Sequence, residues 1–271
     1  MSRSLTAEWS FTADELAVLT ARSLGPGPVA ILGLRPCHPT ADRRGSALHD
    51  AARSLERRDV IVDGVVDAEV VALLHTLQRP DRELVMRLVT PTGIGRFTVA
   101  RRGSASAVAR RVGGRLEVRA LGADLGLNDA SSTLLGELPA AVAATIDPVG
   151  APLSDMAGAL SESHDGLVLA DRIRALGAPQ RAAGLLGTAL GSRQAFAEVV
   201  YSALVEHDGL VERVPAAVAV MYTARGRVIA VPSASPSGEL WSTLKPGTDH
   251  VFGQAVGQLV ELSTQRWEDG N

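Results

Sequence analysis

The sequence predicts an α+β fold: a central, mainly antiparallel, twisted sheet flanked by an N-terminal and a C-terminal helical bundle. Three observations carry this. Hydrophobic periodicity switches from about four residues to two at Leu84. Short glycine turns then separate a run of strand-like segments, as an antiparallel meander requires. The order helices, meander, helix occurs twice, on either side of a junction at Pro148–Pro152. The repeat is one of element order and not of residues. It divides residues 1–271 into pseudo-halves of about 1–147 and 148–271. Burying one sheet face under helices is the usual α+β solution, so the two meanders are expected to join into one sheet.

Each element follows from local chemistry. Trp9-Ser10-Phe11 reads as a short edge strand. Thr12 opens a helix that runs to about Leu24; Glu15 stands at capping-box spacing and Phe11 can staple onto Leu16. Gly25-Pro26-Gly27-Pro28 lacks the spacing of a phosphate loop and reads as a linker. A second helix starts near Thr40, with Arg44, Leu48, Ala51, Ala52 and Leu55 along one side. Val60–Asp63 follows, Gly64 turns the chain, and Asp67 caps a third helix striped by Val70, Val71, Leu74 and Leu77. Pro80 ends it. Four strands come next, Leu84–Val89, Arg96–Arg102, Ala107–Val112 and Arg115–Leu121, with turns at Gly93–Gly95, Gly103 and Gly113-Gly114. In the last strand Leu116, Val118 and Ala120 face one way, and Arg115, Glu117 and Arg119 the other. A helix from about Ala130 to Ala144 closes this half.

After the Pro148–Pro152 junction, three helices are expected at about Leu153–Glu162, Leu167–Ala175 and Pro179–Leu190. Arg193–Val205 reads as a long strand, interrupted at His207-Asp208-Gly209. Val214–Thr223 is a second strand, and Arg227–Val231 a third, entered by a tight turn at Gly226 and bounded by Pro232. Pro236–Gly238 is a loop. Pro246 and Gly247 stop the chain before Thr248, which caps a final helix with Phe252, Ala255, Val256, Leu259 and Leu262 on one face. Gly253 and Gly257 lie four apart in that helix, where their cost in propensity is explained either by close packing against a neighbour or by simple tolerance within a packed helix.

Composition excludes several function classes. The net charge is −3, which argues against a nucleic-acid partner. With only three Trp, two Tyr and four Phe, the core must be built mostly from Leu, Val and Ala. Lys245 is the single lysine among many arginines, a bias of coding rather than of chemistry. Cys37 is alone, as fits a reducing compartment. Met1–Phe11 has no apolar signal-peptide core, and no run approaches the ~18 apolar residues of a membrane span, so a cytoplasmic protein is expected.

No catalytic constellation emerges. His38 adjoins Cys37, but catalytic Cys–His pairs are brought together by folding rather than by adjacency. His75 has no second ligand at helical spacing, and the six histidines form no metal-binding pair, so neither metal nor cofactor is expected. His164-Asp165 and His207-Asp208-Gly209 read as turns. Asp14-Glu15 and Glu268-Asp269 read as solvated charge. No Gly-x-Ser-x-Gly elbow occurs. Arg101, Arg102, Arg110, Arg111, Arg115 and Arg119 would make a basic patch, but Phe97 alone is near it, so an arginine-covered solvent face is expected rather than a single-strand platform.

One stretch carries a resemblance. Gly226-Arg227-Val228, Pro232, Gly238, Trp241-Ser242-Thr243 and Pro246-Gly247-Thr248, in that order near the end of the chain, resemble the C-terminal signature of the EspG family, the chaperones of type VII (ESX) secretion. Leu48–Leu77 and Arg79-Pro80-Asp81 resemble its N-terminal half. Arg35–Thr40 and the Ala/Gly-rich Ala175–Gly191 depart from the pattern. The resemblance implies a single domain with quasi-twofold internal symmetry, acting as a non-enzymatic cytosolic chaperone, a monomer or weak homodimer. It would bind PE–PPE heterodimers at the apolar tip of the helical PPE subunit, in a groove between the central sheet and the C-terminal bundle. The candidate contact residues are Phe196, Glu198, Val200 and Ser202 on one strand face, with Val218, Val220 and Tyr222 nearby. Trp241 is expected to be structural, packing the loop before the last helix. The alternatives are a binding or scaffold module for another client and, further off, an enzyme built around His164, His207 and an acidic residue.

Overall fold

The computed structural model describes residues 8–23, 31–34, 36–161, 163–205 and 209–269. The chain is mixed α+β, with eight α-helices among the described residues and mainly antiparallel strands. Contacts divide it into two units, Met1–Glu83 with Gly95–Leu125, and Leu84–Ile94 with Gly126–Asp269. The division falls at these points and not at Pro148–Pro152.

The first unit begins with β1 (Glu8–Thr12) and α1 (Ala13–Ser23). The expected capping box is present: Thr12 N–H donates to Glu15 Oε2 at 2.9 Å, and Glu15 N–H to Thr12 Oγ1 at 3.2 Å. The Gly25–Pro28 linker lies outside the described residues. Thr40 caps α2 (Ala41–Arg57), and the hairpin β2 (Ile61–Val62) and β3 (Val65–Val66) leads to α3 (Ala68–Gln78), capped by Asp67. β4 (Arg82–Thr90) follows and passes into the second unit at Leu84. β5 (Gly93–Arg102), β6 (Ala105–Val112) and β7 (Arg115–Ala123) make a meander, with β1 on its outer edge in the antiparallel order β1-β7-β6-β5. Gly93–Gly95 belongs to β5 and is not the turn. The reversal is at Pro91-Thr92, where the Thr90 and Thr92 hydroxyls lie 2.9 Å apart. Leu16 and Leu19 of α1, Leu55 of α2 and Leu74 of α3 bury one sheet face together with Leu116 and Val118.

The second unit opens with α4 (Leu127–Gly136), which stops well short of the expected Ala144. Pro139 explains the difference, since proline and the residue before it resist helix. Glu137 and Leu138 close the helix in a turn, the chain carries no helix from Pro139 to Pro148, and Ala143 bridges to Arg227. The expected junction is itself a strand, β8 (Val149–Pro152). Helices α5 (Leu153–Leu160), α6 (Gly166–Ala175) and α7 (Gln180–Gly191) follow as predicted. Gly187 shows why the Ala/Gly-rich stretch is bland: a Cβ there would stand 2.4 Å from the Gly166 carbonyl oxygen, so α6 and α7 touch through backbone.

Next come β9 (Arg193–Val205), β10 (Leu210–Arg213), β11 (Val218–Thr223), β12 (Gly226–Ala234), β13 (Leu240–Pro246) and α8 (Asp249–Glu261). The strand order in this unit is β4-β9-β11-β12-β13-β8, with β10 paired to β9 alone. Two expectations change. Val214–Thr223 is not one strand: β10 precedes it and Pro215 separates the two. β12 does not end at Pro232; β11 pairs with it only as far as Ala230, so Pro232 sits where β12 has a free edge, a place proline is tolerated. Residues 240–246, to which the sequence pattern assigns no element, form a strand.

Helix and tail then close the unit. Thr248 Oγ1 accepts from Val251 N–H, and Phe252, Ala255, Val256 and Leu259 are buried. Gly253 and Gly257 face open space: a methyl group on either would meet nothing within 4 Å, so close packing does not account for them. Beyond α8, Trp267 is wholly buried beside Tyr201, and Glu268 accepts a hydrogen bond from Leu127 N–H at the start of α4. That carboxylate is therefore engaged rather than merely solvated.

Candidate functional site

β9 alternates cleanly. Ala197, Val199, Tyr201 and Ala203 are buried, while Phe196, Glu198, Val200 and Ser202 are half-buried on the other face. Directly paired residues of an antiparallel ladder share a face. The register sets Phe196 opposite Met221 and Glu198 opposite Ala219. Met221, Val228, Ala230 and Leu244 pack with Leu169, Ile173, Leu186 and Leu190 of α6 and α7. The face of β9 that carries Phe196 therefore lies on the same side of the sheet as the α5–α7 bundle, immediately beyond its cover. β10 extends it: Leu204 pairs with Val211 and Ser202 with Arg213.

Arg87 of β4 joins this face. Its Nη2 lies 3.6 Å from Glu198 Oε2, and its guanidinium carbon 5.8 Å from the centre of the Phe196 ring. Both charged side chains remain partly exposed, at 48% and 36%. Arg87 gave no signal in the sequence, because its neighbours come from a strand more than a hundred residues away.

Val218, Val220 and Tyr222 do not belong with Phe196, and the expectation that they line one site is corrected. Val220 pairs with Ala197 and Val218 with Val199, so both point to the opposite, buried face, where each is 0% exposed. Tyr222 is on that face too; its hydroxyl donates to the Pro139 carbonyl at 3.0 Å, and burial raises its pKa. The register joins even positions of β11 to odd positions of β9, and sequence alone does not show which parity a ladder adopts.

The C-terminal signature is a knot of backbone contacts. Arg227 is 2% exposed; its Nε donates to the Gly247 carbonyl at 2.6 Å and its Nη2 to Asp249 Oδ1. Its backbone N–H donates to Val142 O at 2.7 Å, and its carbonyl accepts from Ala144 and Gly247. A Cβ on Gly247 would fall 2.5 Å from the Arg227 carbonyl, and one on Gly226 2.7 Å from Ala144 N, so both positions need glycine. Thr248 caps α8 directly after. Trp241 sits on β13 opposite Ser233 and Pro152, not in a loop, and its indole donates to Glu239. Arg227 and Gly247 are buried in this knot, whereas Gly238 and Thr248 are exposed.

The EspG family model matches residues 12–258, almost the whole chain and both ends of that knot. The chain belongs to the EspG family. It is 28% identical over 246 residues to the ESX-3 secretion-associated protein EspG3 of Mycolicibacterium smegmatis, covering 88% of this chain and 81% of that one. In fold it is similar to EspG5, the type VII secretion system chaperone of Mycobacterium tuberculosis, whose structure was solved in complex with a PE25-PPE41 dimer. The TM-score is 0.81 at 18% identity, over 98% of this chain and 100% of that chain.

Elsewhere this EspG-family chain offers weaker candidates. A cavity of about 550 Å³ is lined by His38, Thr40, Arg44 and Leu48. His38 Nε2 is 2.7 Å from Asp14 Oδ1, while Cys37 is exposed. His164 contacts Arg193 at 3.3 Å; His207 and Asp208 lie outside the described residues. No cluster able to hold a metal occurs among the described residues, and no helix there is long and apolar enough to cross a membrane. The arginines do not form one patch. Arg101 is buried, Arg96 and Arg111 both donate to the Leu32 carbonyl, Arg110 pairs with Glu117, and Arg115 donates to Ser10. The expectation of an arginine-covered solvent face thus fails at Arg101.

Proposed function

We propose that this protein is a cytosolic chaperone of type VII secretion that binds a PE–PPE heterodimer through the open face of β9. Phe196, Glu198, Val200 and Ser202 meet the apolar tip of the PPE subunit, and β10 lengthens the surface. The observation that carries this reading is the half-exposed face of β9, continuous with a face that α6 and α7 cover, in a chain of the EspG family. The EspG3 name and the EspG5 complex with PE25-PPE41 support the client class. Covering an apolar tip removes an aggregation hazard from water and keeps the client competent for export. No chemical step is required of the protein. It acts as a monomer or weak homodimer, and its two units unfold as one domain.

The test is co-expression with PE–PPE pairs of the source organism followed by size-exclusion chromatography. A co-eluting three-chain complex is expected. Ser202→Arg and Glu198→Arg should each abolish it while leaving the melting temperature unchanged. Unchanged binding by both variants would remove β9 from the site.

A further inference from the structure

Resting on that client reading, we propose that Arg87 selects the end of a client helix: its guanidinium takes the unpaired carbonyl oxygens at a helix C-terminus, and Glu198 disfavours a client that offers a carboxylate there. At 3.6 Å the contact of Arg87 with Glu198 is an ion pair too long to be a hydrogen bond. An exposed pair of this kind adds little to stability. Arginine carries five N–H donors in a fixed fork. Stacking on Phe196 and the charge of Glu198 hold that fork in place on the face, with donors still to be used.

The rest of the face says what sits there. Val200, Leu204 and Val211 form an apolar stripe leading away from Arg87, interrupted by Ser202 and its pair Arg213, and Val211 is 65% exposed. A sheet face, unlike a sheet edge, has no free backbone groups for an extended peptide. The adjoining part of this face is covered by α6 and α7, so a helix from the client continues an existing layer. A helix that ends over the stripe brings up to four unpaired carbonyls, together carrying about half an elementary negative charge. Those acceptors suit Arg87. A full carboxylate would stand beside Glu198, and like charges repel.

The inference is tested by calorimetric titration of the full chain with a co-purified PE–PPE pair of the source organism, at low and high salt. Variants are Arg87→Gln, Glu198→Gln and Val200→Asp, each first shown to melt as the parent does. Arg87→Gln should weaken binding about tenfold or more at both salt concentrations. Glu198→Gln, which keeps the side chain's size but loosens the hold on the guanidinium, should weaken binding by less than Arg87→Gln does, and Val200→Asp should abolish binding. If Val200→Asp abolishes binding and Arg87→Gln does not change it, the role of Arg87 is overturned and the face stands. If the Arg87→Gln effect fades at high salt and Glu198→Gln tightens binding, the acceptor is a carboxylate and the inference is wrong. If Val200→Asp binds normally, or no pair binds, the client reading fails and takes the inference with it.

Discussion

One strand, β9, has two faces with opposite fates. Tyr201 and Val199 are 0% exposed on the face shared with Val218, Val220 and Tyr222. Phe196, Glu198, Val200 and Ser202, alternating with them, stay half-exposed. Valines occur on both, but only the second face carries Glu198 and Ser202. The cover differs as well. α8 and the tail with Trp267 close the first face, whereas α6 and α7 stop over β11 and leave the second open at β9. On the function proposed above, the client's helices continue the α6–α7 layer over this uncovered face.

The largest effect that would sharpen the comparison is Val220→Asp against Val200→Asp. Val220→Asp puts an unpaired carboxylate into the closed face and should cost about 3 kcal/mol or more, read as insolubility or a collapsed thermal melt. Val200→Asp should melt within about 0.5 kcal/mol of the parent and lose only the client. Equal melts for the two would erase the distinction between the faces.

Arg227 tests how the closed face is anchored, since on β12 it pairs with Tyr222 of β11. Arg227→Ala removes the bond to the Gly247 carbonyl and the pair with Asp249, and should cost about 2 kcal/mol in chemical denaturation. Asp249→Asn should cost less than about 1 kcal/mol, because Asp249 is 73% exposed.

Tyr222 gives a pH signature of the same face. Burial raises its pKa above the ordinary 10.0. The folded state then holds the phenol proton more tightly than the unfolded state, so this contribution is full below pH 10.0 and is lost as pH rises through the folded pKa. Tyr222→Phe should start slightly less stable at neutral pH, with the Pro139 carbonyl unpaired, and lose less between neutral and strongly alkaline pH. Parallel curves would show that Tyr222 is not closed off.

The smallest effect concerns α8. Since Gly253 and Gly257 face open space, Gly253→Ala and Gly257→Ala should each stabilise by up to about 1 kcal/mol. Destabilisation would mean that something packs closely against that side of the helix.

What could be read from the sequence was local. The capping box at Thr12 and Glu15 and the N-caps Thr40, Asp67 and Thr248 all formed, because each involves residues within three positions of one another. The alternation of β9 likewise showed which residues share a face. It could not show which face was open, or which residues of β11 lay beside it. That depended on pairing register, and Val218, Val220 and Tyr222 were grouped with Phe196 although the ladder puts them on the other side. Pro139 was a readable stop signal that an Ala-rich helical pattern outweighed. β8 and β13 were hidden by their prolines, which edge positions and strand ends tolerate. Arg87 was out of reach altogether, since nothing nearby in sequence marks a partner on β9.

The most direct test of the central claim is site-specific photo-crosslinking in the co-expressed complex. A benzophenone side chain at Ser202 should crosslink to the PE–PPE client, and the same group at Val65, 71% exposed on the first unit's β3, should not. Crosslinking from Val65, with none from Ser202 in an intact complex, would contradict the assignment of the open face of β9 as the client surface.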